Sequence, residues 1–238
     1  MTENSFKRGI TDGIPICLGY FAVSFAFGIF SYESGLTVWQ TVLVSMTNVT
    51  SAGQLAAVPI MVGGGTLLEL AASQLVINLR YSLMAVSISQ KLDSRVNLLD
   101  RLIIAFVDTD EVFAVSTAKE GKVGKRYFFG LILTPWLGWS TGTLLGAVAG
   151  NVLPRAVISA LGLAIYAMFI AIVVPPAKKS RPVAVCALIA IALSCAFRYI
   201  PFLSGVPSGF VIIICAVAAS VVMALAAPLK EEEGGHAN

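Results

Sequence analysis

Ser45-Met46-Thr47-Asn48-Val49-Thr50-Ser51-Ala52-Gly53-Gln54 interrupts a run that is otherwise apolar, and the reading of this interruption decides the fold. It belongs to a longer stretch, Val42 to Tyr81, whose second apolar segment closes on Asn78-Leu79-Arg80-Tyr81. Both segments are apolar enough for a bilayer. Amide and hydroxyl side chains are costly at membrane depth unless they line a cavity or meet partners, and an arginine is costlier still. The stretch is therefore expected to hold a polar site inside a helical membrane bundle.

Composition agrees. Of the 238 residues, 57% are hydrophobic and 12% are charged, and the mean hydropathy is +0.87. Soluble domains carry about 25% charged residues, so the polar surface that a soluble fold needs is missing. The expected fold class is an all-α integral membrane protein, a polytopic bundle with roughly six to eight hydrophobic segments of about 20 residues. The runs are too long for the alternating strands of a membrane barrel. Residues 1–238 read as one transmembrane domain, with a polar leader over 1–10 and a disordered tail over 229–238. The Lys7-Arg8 start lacks a following cleavage site, so the first helix reads as a retained anchor. Cys17, Cys186, Cys195 and Cys215 all lie in apolar runs without metal-type spacing. They read as small core residues, with no disulfide framework and no metal.

The segments are 11–30, 37–62, 66–89, 102–117, 127–149, 157–174, 182–200 and 208–227. The segment 37–62 is expected to break at Ser51-Ala52-Gly53. Gly63-Gly64-Gly65 reads as a turn, and Pro175-Pro176 as a helix end. If all eight segments cross, the charged connection 91–101 lies outside, opposite the basic loop 119–126. If 37–62 and 102–117 are discontinuous or re-entrant, both clusters lie on one side. The second scheme satisfies the positive-inside rule better. Both schemes put the N- and C-termini in the cytoplasm. Six full crossings also allow an inverted repeat, with Pro15, Gly19 and Gly28 matching Pro135, Gly138 and Gly146.

Arg80 lies roughly 13 Å from the end of its segment, at 1.5 Å per residue. That is deep for snorkelling, so it is expected to face the bundle interior. Two readings stand: a clamp for a carboxylate through paired hydrogen bonds, or a structural ion pair with Asp110 or Glu111. Glu69 shares its helix but lies about 16 Å away. Asn48, Ser51, Gly53 and Gln54 read either as a break whose freed N–H groups meet an anion or as a close-packed helix with Gln54 bonded across an interface. Asn78 and Tyr81 flank Arg80 and join the candidate substrate site. Asp108, Asp110 and Glu111 could meet a substrate ammonium, and Asp12, Glu69, Asp108 or Asp110 could carry a coupling proton. The bland readings are acids solvated at the interface and, for Asp12, a helix cap. Gly138, Gly142, Gly146 and Gly150 form a small-residue stripe for helix packing. Gly138-Trp139-Ser140-Thr141-Gly142 matches G-x-S-x-G, but the sole histidine, His236, is in the tail. A serine hydrolase would need a base. No Walker-type loop exists either. No catalytic residue and no cofactor is expected.

The order Pro15…Gly19…Phe27-Gly28, Ser51-Ala52-Gly53-Gln54, Asn78-Leu79-Arg80-Tyr81, Asp110-Glu111-x-Phe113 and Trp136 resembles the AzlC family of branched-chain amino-acid permeases, over roughly residues 7 to 175. The resemblance implies export of branched-chain amino acids across a bacterial inner membrane, with a small membrane subunit of the AzlD type as partner. The competing reading is a channel-like or structural membrane subunit whose activity belongs to its partner. In the transporter reading, the carboxylate of a zwitterion would sit near Arg80 and the Ser51–Gln54 region, and its ammonium near Asp110 or Glu111.

Overall fold

Every regular element among the described residues is an α-helix, as the long apolar runs require. The structure, a computed structural model, describes residues 4–150, 152–203 and 205–227. The expected tail over 229–238 lies outside them. The helices are α1 (Phe6–Glu33), α2 (Val38–Thr47), α3 (Ser51–Val62), α4 (Leu67–Lys91), α5 (Leu98–Phe106), α6 (Asp110–Thr117), α7 (Lys125–Gly150), α8 (Arg155–Lys179), α9 (Arg181–Tyr199) and α10 (Ser208–Ala226). Of these, α1, α7, α9 and α10 are long and apolar enough to cross a membrane. The chain divides into two compact units, Met1–Met168 and Phe169–Asn238. In the second unit α9 and α10 pack on one another. Cys195 is exposed there, so it is not the core residue expected.

Helix boundaries move where capping outweighs hydropathy. Ser5 accepts the Arg8 N–H and starts α1 at Phe6. Residues 6–10 are therefore helix, not leader, and Asp12 sits in the second turn instead of at a cap. Asn97 accepts the Asp100 N–H, which starts α5 inside the charged connection. α8 runs through Pro175 and Pro176 for one more turn, with Ser180 N–H bonded back to Pro176 O. Proline's fixed φ suits a helix, and a final turn loses few backbone bonds to it.

The first unit is organised by two interrupted segments that each turn back. An added Cβ on Gly35, just before α2, would meet Val62 at the end of α3 at 3.7 Å. α2 and α3 thus begin and end at one place. Likewise Asp93 N–H bonds Val123 O, and Val123 N–H bonds Lys91 O. The connection before α5 is therefore stitched to the loop after α6. Asn4 joins the same end through Lys122 O and the Gly124 N–H. Both segments expected to be discontinuous are so, and the clusters 91–101 and 119–126 share one end. The scheme in which all eight segments cross is overturned by this stitching.

α1 and α7 pack along their lengths on glycine faces. A Cβ on Gly138 would lie 2.6 Å from Cys17 O, one on Gly142 would lie 2.5 Å from Phe21 O, and one on Gly146 would lie 2.0 Å from Phe25 O. Gly150 faces Tyr32. Partner numbers rise together, so α1 and α7 run parallel. Helices equivalent by an inverted repeat must run oppositely, so the match of Pro15 with Pro135 does not mark one. The inverted arrangement lies in another frame. α1 leads to the returning pair α2–α3 at the end it reaches, and α4 runs back to lead to the pair α5–α6 at the other end.

Candidate functional site

Each returning pair is broken by three residues, and the two breaks share a backbone design. At Asn48-Val49-Thr50 the Thr50 N–H bonds Asn48 O, and at Val107-Asp108-Thr109 the Thr109 N–H bonds Val107 O. Each threonine is the extended N-cap of the next helix, and neither hydroxyl caps it. β-Branched residues and asparagine are weak helix formers, which is why the chain leaves the helix here. The sequence reading placed the first break at Ser51-Ala52-Gly53. Those residues instead form the first turn of α3.

Gly53 is helical and small for a packing reason. A Cβ there would lie 2.5 Å from Gln74 Oε1 and 2.8 Å from Thr50 Cγ2. Gln74, on α4, is the hub of the first break. Its Nε2 donates to Gly53 O at 2.9 Å, and its Oε1 accepts from Asn48 Nδ2 at 3.3 Å and Asn78 Nδ2 at 3.2 Å. Thr50 Oγ1 donates to Asn78 Oδ1 at 2.9 Å and accepts from Tyr81 OH at 3.4 Å. Ser51 lies half-buried beside them.

Arg80 extends this network to the other break. Its Nη2 donates to Tyr81 OH at 3.2 Å, and its guanidinium carbon lies 4.9 Å from the Tyr81 ring centroid. Its Nη1 meets Asp110 Oδ2 at 2.7 Å, with the two side chains 51% and 49% exposed. The ion pair is thus open on one side. Glu111, next along α6, accepts a short hydrogen bond from Tyr20 OH of α1. The Tyr20 ring stands edge-on to Trp139 at 5.2 Å.

Gln54 lies elsewhere. It is fully buried, donates to Ser45 Oγ at 2.8 Å and accepts from Trp139 Nε1 at 2.9 Å. Ser45 and Thr143 hydroxyls lie 2.7 Å apart, and Trp136 Nε1 donates to Met46 O at 3.1 Å. These contacts pin the α2–α3 pair to α7 behind the network of Arg80.

The proposed proton carriers are dispersed. Asp12 pairs with Arg8 at 3.1 Å and accepts from Tyr127 OH at 2.8 Å, near the N-terminal end of α1. Glu69 is buried in the first turn of α4, where Thr66 caps its N–H. Asp108 lies in the second break and is 5% exposed.

Sequence reasoning missed Gln74, Thr50 and Tyr20. Gln74, Asn78 and Tyr81 recur at helical spacing, so a search for polar stripes on α4 finds Gln74. Thr50 and Tyr20 carry no such signal.

Residues 15–153, which span α1 to α7 and both breaks, match the family described as AzlC protein. The chain is 28% identical over 197 residues to the inner membrane protein YgaZ of Escherichia coli (strain K12), covering 80% of each. It is 33% identical over 175 residues to an uncharacterized membrane protein of Archaeoglobus fulgidus, covering 73% of this chain and 76% of that one. No solved structure matches the chain significantly.

Proposed function

The chain belongs to the AzlC family of membrane proteins, and from that premise we propose that it is a secondary transporter of branched-chain and other hydrophobic amino acids, working as an exporter with a small AzlD-type membrane subunit. The observation that carries this reading is the open ion pair between Arg80 of α4 and Asp110 of α6, with Arg80 also linked through the Tyr81 hydroxyl to Thr50 of the first break. Opposite charges held at the meeting point of two helix breaks suit a zwitterion. Its carboxylate takes the guanidinium beside Asn78, Tyr81 and the uncapped start of α3 at Ser51 and Gly53. Its ammonium takes Asp110, with Glu111 next to it. An exposed pair of this kind contributes only about 0–1 kcal/mol, so substrate can part it at little cost. Charge-assisted bonds to both ends then replace it. Valine, leucine, isoleucine and methionine are poorly told apart by apolar walls, because one methylene is worth about 1–3 kcal/mol.

Orientation follows the basic residues. The end that holds Asn4, the 91–101 connection and the 119–126 loop collects lysines and arginines, whereas Glu33 lies at the other end of α1. The positive-inside rule places the basic end, with both chain termini, in the cytoplasm of a bacterial inner membrane.

The test is counterflow of labelled valine in proteoliposomes. The chain alone, or together with the small subunit, is expected to exchange valine, and Arg80→Ala is expected to abolish exchange. Normal exchange by an Arg80→Ala protein that is correctly inserted overturns the site. Exchange that starts only when the small subunit is added favours the reading in which activity depends on the partner.

A further inference from the structure

The two breaks are built alike, and position by position Asp108 stands where Val49 stands in the other. Val49 is buried in the apolar core that also contains Ile104, Val107 and Val112, as that position requires. Asp108 is buried to the same degree, and neither of its carboxylate oxygens has a hydrogen-bond partner among the described residues. Most other acids among the described residues of the first unit are engaged, and Glu33 and Glu120 are exposed. Asp12 meets Arg8 and Tyr127, Asp100 meets Lys125, Asp110 meets Arg80 and Glu111 meets Tyr20. Glu69 also has contacts. A carboxylate without donor or counter-charge in an apolar setting is costly by several kcal/mol or more, and it is relieved when the group binds a cation. A metal ion needs several converging oxygens. Among the described residues no group of three or more acidic, histidine or cysteine side chains converges to hold a metal, which leaves the proton as the fitting cation.

We propose that Asp108 is the proton-carrying carboxylate of the transporter, and that it exchanges a proton for the substrate's ammonium group. The inference rests on the zwitterion site described above. Asp110, two residues along, is the ammonium's acceptor in that reading. A positive charge arriving there favours ionised Asp108, so the O–H bond at the carboxyl breaks and its proton passes to water. When the ammonium leaves, an O–H bond forms again with a proton from water on the side then open. The two cations compete, which gives antiport. The titratable groups on the elements around this break include Tyr20 of α1, Arg80 and Tyr81 of α4, Asp100 and Arg101 of α5, and Asp110 and Glu111 of α6. At the basic end of α7 there are also Lys125 and Tyr127. Arg80 is held by Asp110 until substrate arrives.

The experiment uses the full chain with its small subunit in liposomes that enclose a pH-sensitive dye. Wild type is expected to move protons against valine. Asp108→Asn is expected to keep valine counterflow while losing both proton movement and accumulation driven by a pH gradient. Asp108→Glu is expected to regain proton movement. Asp108→Val, which restores the residue type of the other break, is expected to be at least as heat-stable as wild type yet uncoupled. A second readout does not depend on substrate: a protonated-carboxyl infrared band at neutral pH, present in wild type and lost in Asp108→Asn. Unchanged proton movement in Asp108→Asn, or absence of that band in wild type, overturns the proposal. If wild type exchanges no valine at all, the zwitterion site fails, and the infrared band alone decides whether Asp108 holds the proton.

Discussion

The α2–α3 break and the α5–α6 break share a length of three residues and one backbone hydrogen bond, and have opposite chemistry. The first is neutral and cross-linked by hydrogen bonds. Asn48, Thr50, Gln74 and Asn78 exchange hydrogen bonds among themselves, and Gln54 is closed off behind them by Trp139. The second is acidic, with Asp108 unpartnered, Asp110 on an open ion pair and Glu111 on Tyr20. An amide network tied by several mutual hydrogen bonds holds one geometry. Charges without full satisfaction change partners. The difference suggests a division of labour, in which the first break is the wall and the second is the part that responds to substrate and proton.

Arg80 is the one side chain that belongs to both, and its loss is the largest effect expected. Arg80→Ala removes the Asp110 contact and leaves the amide network intact, so valine counterflow should vanish while the protein inserts and stays folded. Exchange at the wild-type rate breaks the comparison at its centre. The placement of the breaks is tested next by one-sided labelling. Cysteines introduced at Arg95 and Lys122 should react with a membrane-impermeant thiol reagent from the same side, and a cysteine at Glu33 from the opposite side. Reaction of Arg95→Cys and Lys122→Cys from opposite sides would separate the loops that the bonds of Asp93 and Val123 join.

Smaller effects sharpen the wall side. Trp139→Phe leaves the buried Gln54 oxygen without its donor, at a cost of about 1–3 kcal/mol. The expected result is a lowered unfolding temperature in detergent with valine affinity little changed. Gly53→Ala pushes against Gln74 Oε1, at the end of a side chain that can shift, and against Thr50 Cγ2, which moves only if Thr50 turns about χ1. It should cost about 1–3 kcal/mol and weaken valine binding severalfold, because Gln74 moves away from Asn48 and Asn78. If Trp139→Phe changes affinity more than Gly53→Ala does, the wall and the pinning network behind it have been assigned in reverse.

Charge distribution read the architecture further than local motifs did. The clusters at 91–101 and 119–126 favoured one shared side, and backbone hydrogen bonds join them there. The break itself was set three residues too late, because Gly53 suggested flexibility. Its lack of a side chain in fact admits Gln74, a neighbour distant in sequence that no local pattern reveals. Gln54 was read together with Arg80 since both are polar at membrane depth. Which face of α3 each side chain takes depends on where α4 and α7 pack. The internal match of prolines and glycines misled for a related reason: α1 and α7 carry similar glycines because they pack on each other in parallel, which is a demand of close contact and not of symmetry. Asp108 was legible as an acid out of place, but its lack of partners was not, since Asp110 and Glu111 beside it are both engaged.

Tyr20→Phe is the mildest change and the most selective. It deletes the hydroxyl that donates to Glu111 and keeps the ring against Trp139, so packing persists. The loss is expected to be about 0.5–1.5 kcal/mol, a small fall in thermal stability. Glu111 is exposed, so water replaces the phenol at the carboxylate. It becomes free to approach the ammonium beside Asp110. The expected outcome is unchanged or slightly tighter valine binding with slower release, seen as a lower KM for exchange and a lower maximal rate. A fall in affinity instead would mean that Tyr20 holds Glu111 in its working position. The acidic break would then be as preorganised as the neutral one, and the contrast between them would rest on Asp108 alone.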